Sequence, residues 1–251
     1  VEIILKEERR CFEMKLVLPK QHGAWAMLLI PFLLSVFIGN ASILHIPLFL
    51  GWLLLYLSTY PMLMAIKKKK QSFHWKWFFN YAVPALLFLI IVLYYHFPLF
   101  YFGVSLIPFF LINIYFARQK NERALLNDIS AIIVFCIAGL ASYHVGVGSL
   151  DRTAWLLFML NVLFFVGSTF YVKTMIREKN NRKYLIISWS YHIIVVVGML
   201  FINPLLMIAL IPSLFRAFYF YGKSLSIMKL GIYEIINAAL FFLTILVVLL
   251  M

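Results

Sequence analysis

The sequence predicts an all-α fold: one polytopic membrane bundle of about nine transmembrane helices, entered from a cytoplasmic N-terminus. Three observations carry this. Of the 251 residues, 65% are hydrophobic and only 12% charged, where soluble domains hold about 45–50% apolar and about 25% charged residues. Apolar runs recur at the length that a hydrocarbon core of about 30 Å demands, about 17–25 residues. Basic residues collect in alternate breaks between those runs. Soluble, disordered, collagen-like and coiled-coil classes fail on the composition alone.

The runs fall at 22–39, 47–66, 80–97, 99–117, 127–146, 153–173, 184–202, 204–221 and 232–251. Gly39-Asn40 closes the first and Lys67 to Lys70 the second. His96-Phe97-Pro98 and Ile202-Asn203-Pro204 predict tight hairpins, because proline cannot continue the preceding helix. Arg118, Lys120 and Arg123 separate the fourth and fifth runs, and Gly146, Gly148 and Asp151 the fifth and sixth. From Met14 onward, eighteen of the nineteen Lys and Arg residues fall on one set of ends, and only Arg152 falls on the other. The positive-inside rule then puts the N-terminus inside and Met251 outside. Charges strung along membrane edges exclude a nucleic-acid partner and fit anionic lipid.

Residues 1–13 are polar, lack an apolar period and contain four of the nine acids. Glu-Glu-Arg-Arg precedes Met14 and can be encoded by a purine-rich ribosome-binding stretch, so 1–13 is expected to be a non-native or disordered extension and 14–251 the bundle. No small-residue cleavage site follows the first apolar run, so no cleavable signal is expected. Cys11 and Cys136 lack metal or redox spacing.

Intramembrane polar residues face the bundle interior or a cavity and supply the ligand-binding candidates. Gln21, His22 and Trp25 share one flank of the first helix, either as a site or as a helix start with an interfacial Trp. Gly23 and Ala24 beside them suit a close backbone approach. Arg118, Arg123, Asn127 and Asp128 surround a helix start, with Asn127 or Asp128 as N-cap, or Asp128 paired to Arg118 or Arg123. Ser168, Tyr171, Lys173, Arg177 and Glu178 follow along the sixth span. Lys173 and Arg177, one turn apart, suit a phosphate or carboxylate clamp above the two hydroxyls, or a charged loop edge. His192 lies i,i+4 from Ser188 near mid-span, as ligand or as hydrogen-bonded glue. Glu234, near Tyr233 and Asn237, requires a cation, and Arg216 is its expected partner. No catalytic triad, metal-ligand spacing or phosphate loop occurs.

The stretches PKQHGAWAMLLIPFLLSVFIG, ERALLND and STFYVKTMIRE resemble the YwiC-like family of bacterial integral membrane proteins, from Met14 to the end. That resemblance implies a bacterial cytoplasmic membrane location and brings no activity with it. More distantly, nine spans with the N-terminus inside, Gly23, Trp25 and Pro31 in the first span, and Tyr171 leading out of the sixth resemble the UbiA-type intramembrane prenyltransferases. Those enzymes hold Mg²⁺ on a prenyl diphosphate with NDxxDxxxD and DxxxD motifs. Here no acid occurs between Met14 and Asn121, and Lys173 and Arg177 stand where the second motif's aspartates would. Mg²⁺ needs oxygen ligands including carboxylates, so no cofactor is expected. The resemblance leaves a UbiA-like cavity taking an anionic or isoprenoid-like lipid without metal, as a metal-independent transferase or as a binding protein. The alternative is a small transporter, whose helices Pro31, Pro61, Pro84, Pro108 and Pro212 would interrupt, or a non-catalytic accessory protein.

Overall fold

The computed structural model describes residues 17–19, 22–67 and 71–251, with the side chain of residue 22 excepted. Gln21, the His22 side chain, Lys68 to Lys70 and the 1–13 extension lie outside the described residues. The helices described are α1 (His22–Ile38), α2 (His45–Ile66), α3 (Gln71–Tyr95), α4 (Leu99–Arg118), α5 (Leu125–Val147), α6 (Arg152–Ile176), α7 (Arg182–Ile202), α8 (Pro204–Ile208), α9 (Ile211–Tyr219) and α10 (Ile227–Leu250). Seven of them, α2 to α7 and α10, are long and apolar enough to cross a membrane. Two shorter apolar segments, Gly23–Ile38 and Pro204–Tyr219, fall at the first and eighth expected spans. The chain is a multi-pass membrane protein.

The centre is α1, α5 and α6. The most apolar stretches of α5 and α6 are 56% buried, against 6% for α4. Phe100, Tyr101, Ile107 and Leu111 on α4 are exposed, as suits side chains whose solvent is lipid. One apolar core joins α1, α5, α6, α7, α8 and α10 around Leu34, Ile132, Leu157, Phe164 and Phe241. A second joins α1 to α5 around Leu28, Phe32, Trp52, Val92 and Phe135.

In a bilayer, lipid tails compete with apolar side chains, so close backbone packing replaces hydrophobic burial as the force between helices. Gly139, Ser142 and Gly146 form that surface on α5. A Cβ on Gly139 would meet the Pro31 carbonyl oxygen at 2.9 Å, and one on Gly146 would sit 1.9 Å from the Gly39 carbonyl oxygen. Ser142 Oγ donates to the Phe32 carbonyl at 3.1 Å, and the Ser142 carbonyl lies 2.9 Å from His45 Nε2 on α2. The chain turns out of α1 at Asn40, whose φ of 66° is left-handed, a conformation that asparagine tolerates. At Gly23 no described residue lies within 4 Å of the Cβ position, whereas Ala24 packs against the second core.

Three expected boundaries are corrected. The third helix begins at Gln71 rather than near residue 80. Trp77 and Tyr81, one turn apart, pack on Leu57 of α2, and that burial extends the helix through Lys76. The fifth begins at Leu125 with Ala124 as N-cap and no side-chain cap bond, so neither Asn127 nor Asp128 caps it. The eighth is broken into α8 and α9, with a turn at Ala209-Leu210 between them. Pro212 stands in the first turn of α9, where its missing N–H is harmless and its ring disfavours a continuous helix from α8. Pro31, Pro61, Pro84 and Pro108 stay inside helices, as membrane helices permit when neighbours satisfy the freed groups.

Candidate functional site

The basic end of the bundle is tied by ion pairs. Lys173, in the last turn of α6, lies 2.9 Å from Asp128 of α5 and donates to the Arg123 backbone carbonyl. Asp128 thus pairs with Lys173 rather than with Arg118 or Arg123. Lys67 at the end of α2 pairs with Glu122 in the α4–α5 loop. Asn127 Nδ2 donates to the Glu122 carbonyl at 2.7 Å, which folds this loop over the start of α5.

Burial separates the two expected clamp residues. Lys173 is buried and already held; Arg177, the C-cap of α6, is exposed. Arg118 and Arg123 are exposed as well. Because Lys173 binds the Arg123 carbonyl, it fixes the segment bearing Arg123 against the helix bearing Arg177. Glu178 turns away to accept from Asn181 Nδ2 at 2.8 Å.

A second polar layer lies deeper. On α9, Ser213, Arg216 and Ala217 are buried while Phe215, Phe218 and Tyr219 are exposed, so one helix flank turns Arg216 inward. Arg216 is only 4% exposed. It pairs with Glu234 of α10, donates from Nη2 to Ser168 Oγ at 2.8 Å, and sets Cζ 4.5 Å from the centroid of the Tyr171 ring. A cation in so dry a place requires these partners, and the ring face adds attraction. Asn237 of α10 donates from Nδ2 to Ser213 Oγ at 3.0 Å. The expected Arg216–Glu234 pair is therefore present, and Ser168 and Tyr171 serve Arg216 rather than the Lys173–Arg177 edge. The sequence signal for Arg216 was its position in an apolar run; its role as the centre of this layer depends on the α8–α9 break, which turns its flank inward.

His192 is 4% exposed, and its Nδ1 lies 2.7 Å from the Ser188 carbonyl. The Trp25 ring meets Tyr56 edge-on at 5.7 Å, while its expected companions Gln21 and the His22 side chain lie outside the described residues. The described carboxylates beyond residue 121 are all engaged: Glu122, Asp128 and Glu234 by cations, Glu178 by Asn181, and Asp151 by the N-terminus of α6 and the Tyr143 hydroxyl. Backbone N–H donation from Ala154, with further bonds from Tyr143 and Thr153, holds the Asp151 carboxyl below its ordinary pKa although burial opposes it.

The family model described as YwiC-like protein matches residues 18–143. The Uncharacterized protein YwiC of Bacillus subtilis (strain 168) is 50% identical over 229 residues, which is 91% of this chain and 96% of that protein. An Uncharacterized protein of Haemophilus influenzae (strain ATCC 51907 / DSM 11121 / KW20 / Rd) is 39% identical over 238 residues, or 93% of this chain and 99% of that one. No solved structure matches.

Proposed function

The chain belongs to the YwiC-like protein family, and we propose that it is a bacterial cytoplasmic-membrane protein that holds an anionic or isoprenoid-like lipid at its basic end without Mg²⁺. The same reading places the N-terminus inside and the C-terminus outside, in a bundle of UbiA-like architecture. One observation carries it: buried Lys173, bound to Asp128 and to the Arg123 carbonyl, joins the two segments that carry the exposed residues Arg123 and Arg177. Arginine forks suit phosphate and carboxylate oxygens. The engaged carboxylates support an anionic ligand over a divalent metal.

The test is the lipid that co-purifies with the full chain in mild detergent, measured by mass spectrometry. Arg123→Gln/Arg177→Gln is expected to retain about tenfold less anionic lipid than wild type, a loss of the order of one charge-assisted hydrogen bond. Lys229→Gln, an exposed charge on α10, is the control and is expected to change little. Equal retention in both variants reduces the arginines to a topology signal and removes this reading.

The break between α8 and α9 favours a second reading, a small-molecule transporter, since interrupted helices beside buried charges line many transport sites. Solute-driven flux in proteoliposomes, abolished by Glu234→Gln, would decide for it.

A further inference from the structure

A small cavity lies between α6, α7 and the α8–α9 break, apart from the ion pairs of the basic end. Its polar edge is formed by His192 and Ser213, its floor by Gly167, and its half-buried mouth by Leu163, Tyr191 and Val195. No charged side chain among the described residues lines it. The enclosed volume is about 10 Å³, at the lower bound of the room that one oxygen with its hydrogens requires.

The His192 ring has a defined polarity toward this space. Nδ1 faces the Ser188 carbonyl at 2.7 Å. A carbonyl oxygen only accepts, so Nδ1 carries the hydrogen and, in the neutral ring, Nε2 presents a lone pair. Nε2 is buried and has no hydrogen-bond partner among the described residues. Gly167 keeps the space in front of it open: a Cβ there would stand 3.2 Å from Nε2. Buried polar atoms are ordinarily paired, so an acceptor left bare, over 95% buried and beside the half-buried Leu163, Tyr191 and Val195, calls for a donor from outside the described residues.

We infer that this cavity is a binding site for the hydroxyl group of a neutral long-chain alcohol. The hydroxyl donates to His192 Nε2, and the chain leaves past Leu163 and Val195 into the bilayer. A charged headgroup has no counter-ion here. An ether lacks the donor and brings a methyl group for which the cavity has no room.

The experiment uses the full chain in lipid nanodiscs with a photoreactive hexadecanol carrying a mid-chain diazirine, and with its methyl ether. Adducts are mapped by peptide mass spectrometry. The alcohol is expected to label the segments 163–167 and 191–196 about tenfold more than the ether does, because a site built around one hydrogen bond rejects the analogue that leaves its buried group unpaired. His192→Phe and Gly167→Ala are each expected to bring alcohol labelling down to the ether level, with labelling elsewhere unchanged. Equal labelling of wild type by alcohol and ether would overturn the proposal and leave a water-sized space; this comparison needs no variant to fold. Retained preference for the alcohol in His192→Phe would overturn it as well. Loss of anionic lipid from the Arg123→Gln/Arg177→Gln variant bears on the other site alone.

Discussion

Lys173 of α6 and Asp128 of α5 face each other at 2.9 Å, with side chains 10% and 25% exposed. A charge mostly removed from water is stable only with its partner. Asp128→Asn strands the ammonium and is expected to cost about 2–3 kcal/mol, below the about 3–5 kcal/mol of fully buried pairs because Asp128 still touches solvent. Removing both charges in Asp128→Leu/Lys173→Met is expected to cost less than Asp128→Asn alone. Unfolding in detergent by heat or by graded SDS measures both, and additive losses would show the pair to be uncoupled.

The crossing of α1 and α5 sets a steric order among glycines. Gly146→Ala puts a methyl group 1.9 Å from a backbone oxygen that cannot rotate away, and Gly139→Ala puts one 2.9 Å from another. Gly103 on α4 has nothing within 4 Å of its Cβ position. The expected order of destabilisation is Gly146→Ala, then Gly139→Ala at about 1–3 kcal/mol, then Gly103→Ala within about 0.5 kcal/mol of wild type. The fraction of monodisperse protein after mild heating ranks them.

Much of the bundle was legible because its solvent is lipid: composition and run length place the helices, and the hairpins at Pro98 and Pro204 follow from ring chemistry. What escaped depends on neighbours. Lys76 reads as a loop residue until Trp77 and Tyr81 are packed on α2. Asp128 reads as a cap until Lys173 arrives from a helix 45 residues away. Lys173 and Arg177 share a face by spacing, but only the three-dimensional packing buries one and exposes the other. The Arg216–Glu234 pair was legible because a membrane carboxylate needs a cation and Arg216 stands at the end of the neighbouring run. The His192 cavity was not, because it exists only where α8 stops.

Asp151 predicts a pH dependence. Its carboxyl lies below the ordinary value in the folded chain, chiefly through the Ala154 N–H. The stabilisation is thus present above the unfolded value of about 3.9 and lost as pH falls through the lower folded value. Asp151→Ala is expected to cost about 1 kcal/mol near pH 7, as other N-cap losses do. The gap between variant and wild type should stay constant down to about pH 5 and shrink below about pH 4; thermal unfolding across that range checks it.

Orientation is testable on its own. With the basic ends inside, a phosphatase reporter fused after Met251 is expected to be active only outside the cytoplasm, and a fluorescent reporter that requires the cytoplasm is expected to stay dark there. The opposite pattern would reverse the proposed topology.

The pairing of Arg216 with Glu234 also orders events at the ribosome. α9 leaves the exit tunnel carrying an arginine whose entry into hydrocarbon is unfavourable until it is paired. The carboxylate that neutralises it is eighteen residues further along the chain, about 1–4 s behind at ordinary elongation rates. During that interval α9 has reason to wait inside the translocon or at the lipid boundary. α10 is then expected to do more than add a span: its arrival would release the preceding one into the bilayer, so a nascent chain cut short before Glu234 would be a substrate for quality control.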